Sequence, residues 1–216
     1  MAAGLAGGVT IALPKGRTLE GALALLKKLG FDCQALDEGR KLILDFPERQ
    51  VRFLLLRGSD IPTYVEYGAA DIGIVGKDIL LEQQKDIYEP LDLKFGFCRL
   101  VVAQPKERQR TENALHWSNL KVATTFPRLT EEHFNRKGVQ VEIIYLGGAV
   151  ELAPLVGLSD LVVDLVQTGR TLQENGLIEV EEIVQSTARL VVNRASQKTR
   201  YEPIMQLIQH IRAYLS

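Results

Sequence analysis

Two rhythms of apolar and polar positions alternate along the chain. Runs such as VTIAL (9–13), VRFLLL (51–56), DIGIV (71–75), LKVATTF (120–126), VEIIYL (141–146) and DLVVDLV (160–166) have the length and β-branched content of buried strands. Between them the period changes. Leu19, Leu23, Leu26 and Leu29 recur at helical spacing before Gly30 stops the pattern. KLILDF (41–46) and VRFLLL are joined by PERQ, a hairpin turn, and IPTYVEYGA (61–69) reads as a helix with Pro62 in its first turn. KDILLEQQ (77–84) is the next helix.

After about residue 92 the pattern restarts. FCRLVVAQ (97–104) is a strand, LTEEHFNRKG (129–138) a helix, GGAVELAPLVG (147–157) a helix and TLQENG (171–176) a short helix. A long β region follows over 178–192, then a terminal helix over 202–215. Strands alternating with helices predict a parallel α/β architecture in two lobes. The expected first lobe comprises residues 1–92 with 184–216, and the second residues 93–183. GAADIGIVGKDILLEQ (68–83) and GLSDLVVDLVQTGRTLQEN (157–175) echo one another: a helix-ending glycine, an aspartate, a buried strand, then a turn and helix. Two related lobes with a cleft between strand ends would produce that echo, and so would the common grammar of short α/β units.

Composition narrows the function. With 26 Lys and Arg against 27 Asp and Glu, the net charge of -1 gives no general attraction to nucleic acid or anionic membrane. Any anion site is local. No apolar run approaches the roughly 20 residues of a membrane span, and the start lacks the basic region of a signal peptide, so a cytoplasmic location is expected. Cys33 and Cys98 lie in separate elements and are expected as free thiols, and no Cys/His cluster has zinc-ligand spacing.

The candidate chemistry lies in DLVQTGRTL (164–172). A strand exit feeding a helix start presents unpaired backbone N–H groups to a phosphate, Gly169 permits close approach, and Thr168 and Thr171 add hydroxyls. A plain helix cap explains the threonines equally well. Asp164, four residues ahead, could accept from sugar hydroxyls or satisfy turn amides, and Glu151 could reach the same edge or stand as a solvated first-turn acid. Cations sit at other strand ends: Lys15 and Arg17 in the PKGR turn, Arg40 before KLILDF and Arg57 after VRFLLL. None of His116, His133 and His210 stands out as an acid or base; His133 falls on a surface-like helix.

Glu151, Gly157, Ser159, Val162, Asp164, Leu165, Thr168, Gly169, Thr171 and Leu172, in ELAPLVGLSDLVVDLVQTGRTL, together resemble the signature of the ATP phosphoribosyltransferase family. The likeness extends through ALPKGR, GRKLI, LRGSDIPTYVEYGAADIGIVGKD and RLVVNRAS, and covers essentially the whole chain. The resemblance implies two α/β lobes with a central cleft, of the type II periplasmic-binding-protein architecture. It implies transfer of a phosphoribosyl group from phosphoribosyl pyrophosphate to N1 of ATP's adenine, the first step of histidine biosynthesis, with Mg²⁺ arriving on the polyphosphates. The chain looks like the family's short form, which implies a homodimer within a hetero-octamer that includes a regulatory subunit related to histidyl-tRNA synthetase.

By the same resemblance, Arg17 and Arg40 offset charge on departing pyrophosphate. Thr168, Gly169, Arg170 and Thr171 hold the 5-phosphate, Glu151 and Asp164 hold the ribose hydroxyls, and Lys15, Arg57 and Asp71 help seat nucleotide and pyrophosphate. Two rivals differ in testable ways. A solute-binding protein shares the two-lobed design but releases no pyrophosphate. A nucleotide-salvage phosphoribosyltransferase usually carries two adjacent acids before its Thr-Gly turn, where this chain has Asp164 followed by Leu165.

Overall fold

The structure, a computed structural model, describes residues 8–32, 36, 41–108 and 120–215. The chain divides into two compact units, one of Met1–Gly96 with Thr187–Ser216 and one of Phe97–Ser186. The first contains β1 (Val9–Pro14), α1 (Leu19–Lys28), β2 (Ile43–Phe46), β3 (Val51–Leu56), α2 (Ile61–Glu66), β4 (Ile72–Gly76), α3 (Lys77–Gln83) and β5 (Tyr88–Asp92). The second contains β6 (Cys98–Pro105), β7 (Leu120–Thr124), α4 (Pro127–Arg136), β8 (Val141–Tyr145), β9 (Leu161–Val166), α5 (Arg170–Glu174) and β10 (Leu177–Ser186). The chain then returns to the first unit as β11 (Ala188–Val192), α6 (Arg194–Thr199) and α7 (Tyr201–Leu215).

Each unit is built on one mixed sheet, ordered β2-β3-β1-β4-β11-β5 in the first and β10-β6-β9-β7-β8 in the second. The parallel core is as expected, and so is the antiparallel β2–β3 hairpin, but further antiparallel pairings are added. β3, β1 and β4 run parallel, as do β8, β7 and β9, but β11 and β5, and β6 and β10, are antiparallel additions. Hydrophobic alternation marks a strand and carries no record of its direction. The long β region over 178–192 likewise divides at Thr187 into β10 and β11, which belong to different sheets.

Set β2 aside and the two sheets have the same plan: three parallel strands, then one running against them and an outer strand antiparallel to that one. The echoed aspartates do the same work in each. Asp71 donates its N–H to the Thr10 carbonyl at 2.8 Å, and its carboxylate accepts the Thr10 N–H at 2.8 Å. Asp160 repeats this on Lys121, at 2.8 and 3.1 Å. Each aspartate locks the register between the middle strand of a unit's parallel trio, β1 or β7, and its parallel neighbour, β4 or β9.

Burial follows from the helical stripes. Leu25 and Leu26 of α1 and Ile204, Ile208 and Ile211 of α7 pack with Ile11, Leu13 and Phe53. Each such side chain, fully buried, stabilises the fold by roughly 1.5–3 kcal/mol. Phe31, Phe46 and Phe53 pack edge to face, with ring centroids 5.2–5.5 Å apart. Among the described residues no helix is long and apolar enough to cross a membrane.

Two local expectations fail for identifiable reasons. GGAVELAPLVG holds only a short 3-10 turn, Val150–Leu152. Its flanks oppose a helix: Ala149 adopts φ 49° and Gly157 φ 77°, while Pro154 has no N–H to return to Val150. The helix bearing His133 is not a surface helix on that side. α4 buries Leu129, Thr130, His133 and Phe134, and the imidazole Nε2 lies 3.4 Å from Glu181 of β10.

Burial pushes the His133 pKa below its ordinary value, against the pull of Glu181, with Lys137 and Arg136 adding to the decrease. The unfolded chain then binds the proton more readily, so the stability contributed by neutral His133 is complete above about pH 6.5 and is lost as pH falls from there toward the folded pKa. Unfolding free energy measured in urea should drop between pH 7 and pH 5.5 in the parent and drop less in His133→Gln. Equal slopes in the two proteins would contradict this.

Candidate functional site

The parallel strands of the second unit, β7, β8 and β9, end together, so the segments after them share one sheet edge. In open α/β sheets the carboxyl edge is where ligands sit. After β8 come Gly147, Gly148 and the turn with Glu151; after β9 come Thr168, Gly169, Arg170 and Thr171. Gly169, with φ 80°, takes the capping position of α5, and no side chain caps that helix start. The plain Thr-cap reading is thus not the one adopted. Thr168, Arg170 and Thr171 are exposed and Gly169 is buried. A Cβ there would lie 3.2 Å from Glu179 Oε1, and its φ is one that only glycine adopts cheaply.

Asp164 lies two residues before the end of β9, opposite Val101 of β6. Directly paired residues point to the same face, and Val101 packs with Ala153 and Leu172. Asp164 is therefore on the face covered by the Glu151 turn and α5. It is half-buried, and its Oδ1 accepts the Leu165 N–H at 2.8 Å.

The first unit has its own carboxyl edge, lined with cations. Lys15 follows β1 and Arg57 follows β3, and the two segments are tied by the Lys15 N–H donating to the Leu56 carbonyl at 2.7 Å. Lys15, Arg17 and Arg57 are exposed, and Gly16, at φ 81°, has open space around its Cα. Arg40 lies outside the described residues, as does Cys33.

Asp71 does not join this set. It precedes β4, at the amino edge, a strand's length of roughly 15 Å from the cations. Its carboxylate is occupied: besides Thr10 it accepts from Ser196 Oγ at 2.6 Å and Arg200 Nη1 at 2.5 Å, and the residue is 4% exposed. The expectation that it helps seat nucleotide gives way to a structural role. A buried acid at the cationic edge is Asp78, for which the sequence suggested no role. It is buried, and its carboxylate lies over Gly76 where any Cβ would collide. A glycine ending an apolar strand two residues before an acid was the available signal.

The chain matches the family model described as ATP phosphoribosyltransferase over residues 57–213. It is 53% identical over 208 residues to an ATP phosphoribosyltransferase of Citrifermentans bemidjiense, covering 96% of this chain and 98% of that one. Among solved structures it resembles the ATP phosphoribosyl transferase (HisG:HisZ) complex from Thermotoga maritima, with TM-score 0.81 and 35% identity over 96% of this chain and 98% of that chain. The periplasmic aliphatic sulphonate binding protein SsuA from Escherichia coli shares the fold alone, with TM-score 0.62 and 15% identity over 94% of this chain and 71% of that chain.

Removing the Asp71 carboxylate leaves Arg200, Ser196 and the Thr10 N–H without their acceptor. Asp71→Ala should therefore lower the unfolding free energy by about 3 kcal/mol. A denaturant midpoint equal to the parent's would show that the carboxylate is spare.

Proposed function

The chain belongs to the ATP phosphoribosyltransferase family, and we infer from its two strand edges how it joins N1 of ATP's adenine to C1 of phosphoribosyl pyrophosphate. The reaction forms the N1–C1 bond, breaks the C1–O bond and releases pyrophosphate, opening histidine biosynthesis. The observation that carries the assignment of roles is the uncapped Thr-Gly-Arg-Thr turn with Asp164 on the adjoining face. Its backbone N–H groups and hydroxyls suit the 5-phosphate. Glu151 and Asp164 accept from the ribose hydroxyls.

Neutral N1 already carries a lone pair, so no general base is needed. Catalysis rests on holding the two substrates in line and on stabilising negative charge as the diphosphate leaves. Arg17 and Arg40 serve the leaving group, because a guanidinium grips phosphate oxygens in a fork; Lys15 and Arg57 seat the polyphosphates. Mg²⁺, arriving with the polyphosphates, would screen that charge, with Lys15 and Arg57 seating the phosphate oxygens it accompanies.

The Thermotoga relative was solved as a HisG:HisZ complex. On that basis this chain works with a HisZ-type regulatory subunit; the family resemblance in the sequence further implies that the subunit is related to histidyl-tRNA synthetase and that the chain forms a homodimer within a hetero-octamer in the cytoplasm. A solute-binding role is supported only by fold likeness at 15% identity.

The test is release of pyrophosphate from ATP and phosphoribosyl pyrophosphate by the chain with its regulatory subunit. Arg17→Ala should lower the single-turnover rate by about 10²–10³-fold, the scale of losing one group that meets transition-state charge. An unchanged rate would remove Arg17 from the chemistry, and absence of pyrophosphate release by the parent complex would remove the reaction itself.

A further inference from the structure

Behind the Thr-Gly-Arg-Thr turn lies a charge that a phosphate site has to overcome. Glu179 Oε1 sits 3.2 Å from where a Cβ on Gly169 would be, so a carboxylate packs directly against the turn. Arg99 of β6 closes on it from the side. Its Nη1 donates to Glu179 Oε2 at 2.9 Å and its Nη2 to Glu179 Oε1 at 3.1 Å, a two-pronged grip. Nη1 also reaches Glu182 Oε2 at 3.4 Å, and Glu182 in turn accepts from Gln185 at 3.0 Å.

The backbone of β10 is bent to make this cluster. Glu179 pairs with Ala103 and Glu181 with Val102, so Val180 is an extra residue, and the shift turns Glu181 toward α4 while returning Glu182 to the face of Glu179. In a regular strand Glu179 and Glu182 would point to opposite faces. Arg99 stands opposite Val166 and two residues along from Asp164's partner Val101, so it shares the face of the turn and of Asp164.

We propose that Arg99 is a positioning residue for the phosphoribosyl donor: by neutralising Glu179 it makes the turn fit for a dianionic 5-phosphate. The inference rests on the reading of that turn as the 5-phosphate site. Left alone, the Glu179 carboxylate repels the incoming anion. Held by Arg99, it keeps the turn packed while its own charge is offset, and the charge left over in the cluster is that of Glu182, the more distant partner at 3.4 Å.

The probe is ribose 5-phosphate, its affinity measured by calorimetry at low ionic strength on the full chain. Arg99→Met should weaken binding ~10-fold, Glu179→Gln should tighten it ~3-fold, and the double variant should lie within about twofold of the parent, the scale of a half-exposed charge near an anion. Arg99→Lys should keep most of the affinity. A merely structural ion pair would not give opposite signs for its two halves. Should Arg99→Met fail to fold, the sign of the Glu179→Gln change alone decides.

Equal weakening by Glu179→Gln and Arg99→Met, or a double variant as weak as Arg99→Met, would overturn the proposal. Thr171→Val separates the two layers of argument. If it weakens binding while the Arg99 and Glu179 variants do not, only this inference falls; if none of them alters binding, the 5-phosphate docks elsewhere.

Discussion

Parallel strands deliver all their carboxyl ends to one edge, and in this chain the register that aligns those ends is held by two aspartates. Asp71 and Asp160 each exchange a pair of hydrogen bonds with the strand beside them, Thr10 in one unit and Lys121 in the other. Everything chemical hangs from the opposite ends of the same strands. A slip of one residue would turn every side chain of the strand to the other face and take Asp164 away from the face of the Glu151 turn and α5. Both aspartates are thus scaffolding, although the sequence alone suggested a binding role for Asp71.

On matching frames the two units carry different charges. The first ends its parallel strands in Lys15, Arg17 and Arg57, the second in the glycine-threonine turn with Glu151 and Asp164 nearby. Aligned on the aspartates, Asp164 occupies the place held in the first unit by the buried Val75. A single carboxylate in that place is what the ribose role proposed for the second unit rests on. Cations gather at the carboxyl edge of the first unit, and the carboxylates of Asp164 and Glu151 belong to the second.

The apolar periods revealed most strands and helices because each buries a continuous stripe. β5 escaped notice, since Tyr88, Glu89, Pro90, Leu91 and Asp92 form an edge strand without alternation, and α6 did so because it is six largely polar residues capped by Asn193. Strand direction was illegible for a different reason: it is set by connections, and hydrophobicity does not encode it. The Thr-Gly-Arg-Thr turn itself could be read because its residues are neighbours in sequence. Asp71 could not, because Ser196 and Arg200, which occupy its carboxylate, are 125 and 129 residues away. The grip of Arg99 on Glu179 spans 80 residues and depends on a bulge that no local pattern announces.

A crystal structure of the chain with phosphoribosyl pyrophosphate tests the central claim most directly. The expected result is a 5-phosphate whose oxygens accept from the backbone N–H groups at the start of α5 and from the hydroxyls of Thr168 and Thr171, with a ribose hydroxyl on Asp164. A 5-phosphate lodged instead among Lys15, Arg17 and Arg57, with the α5 turn untouched, would contradict it.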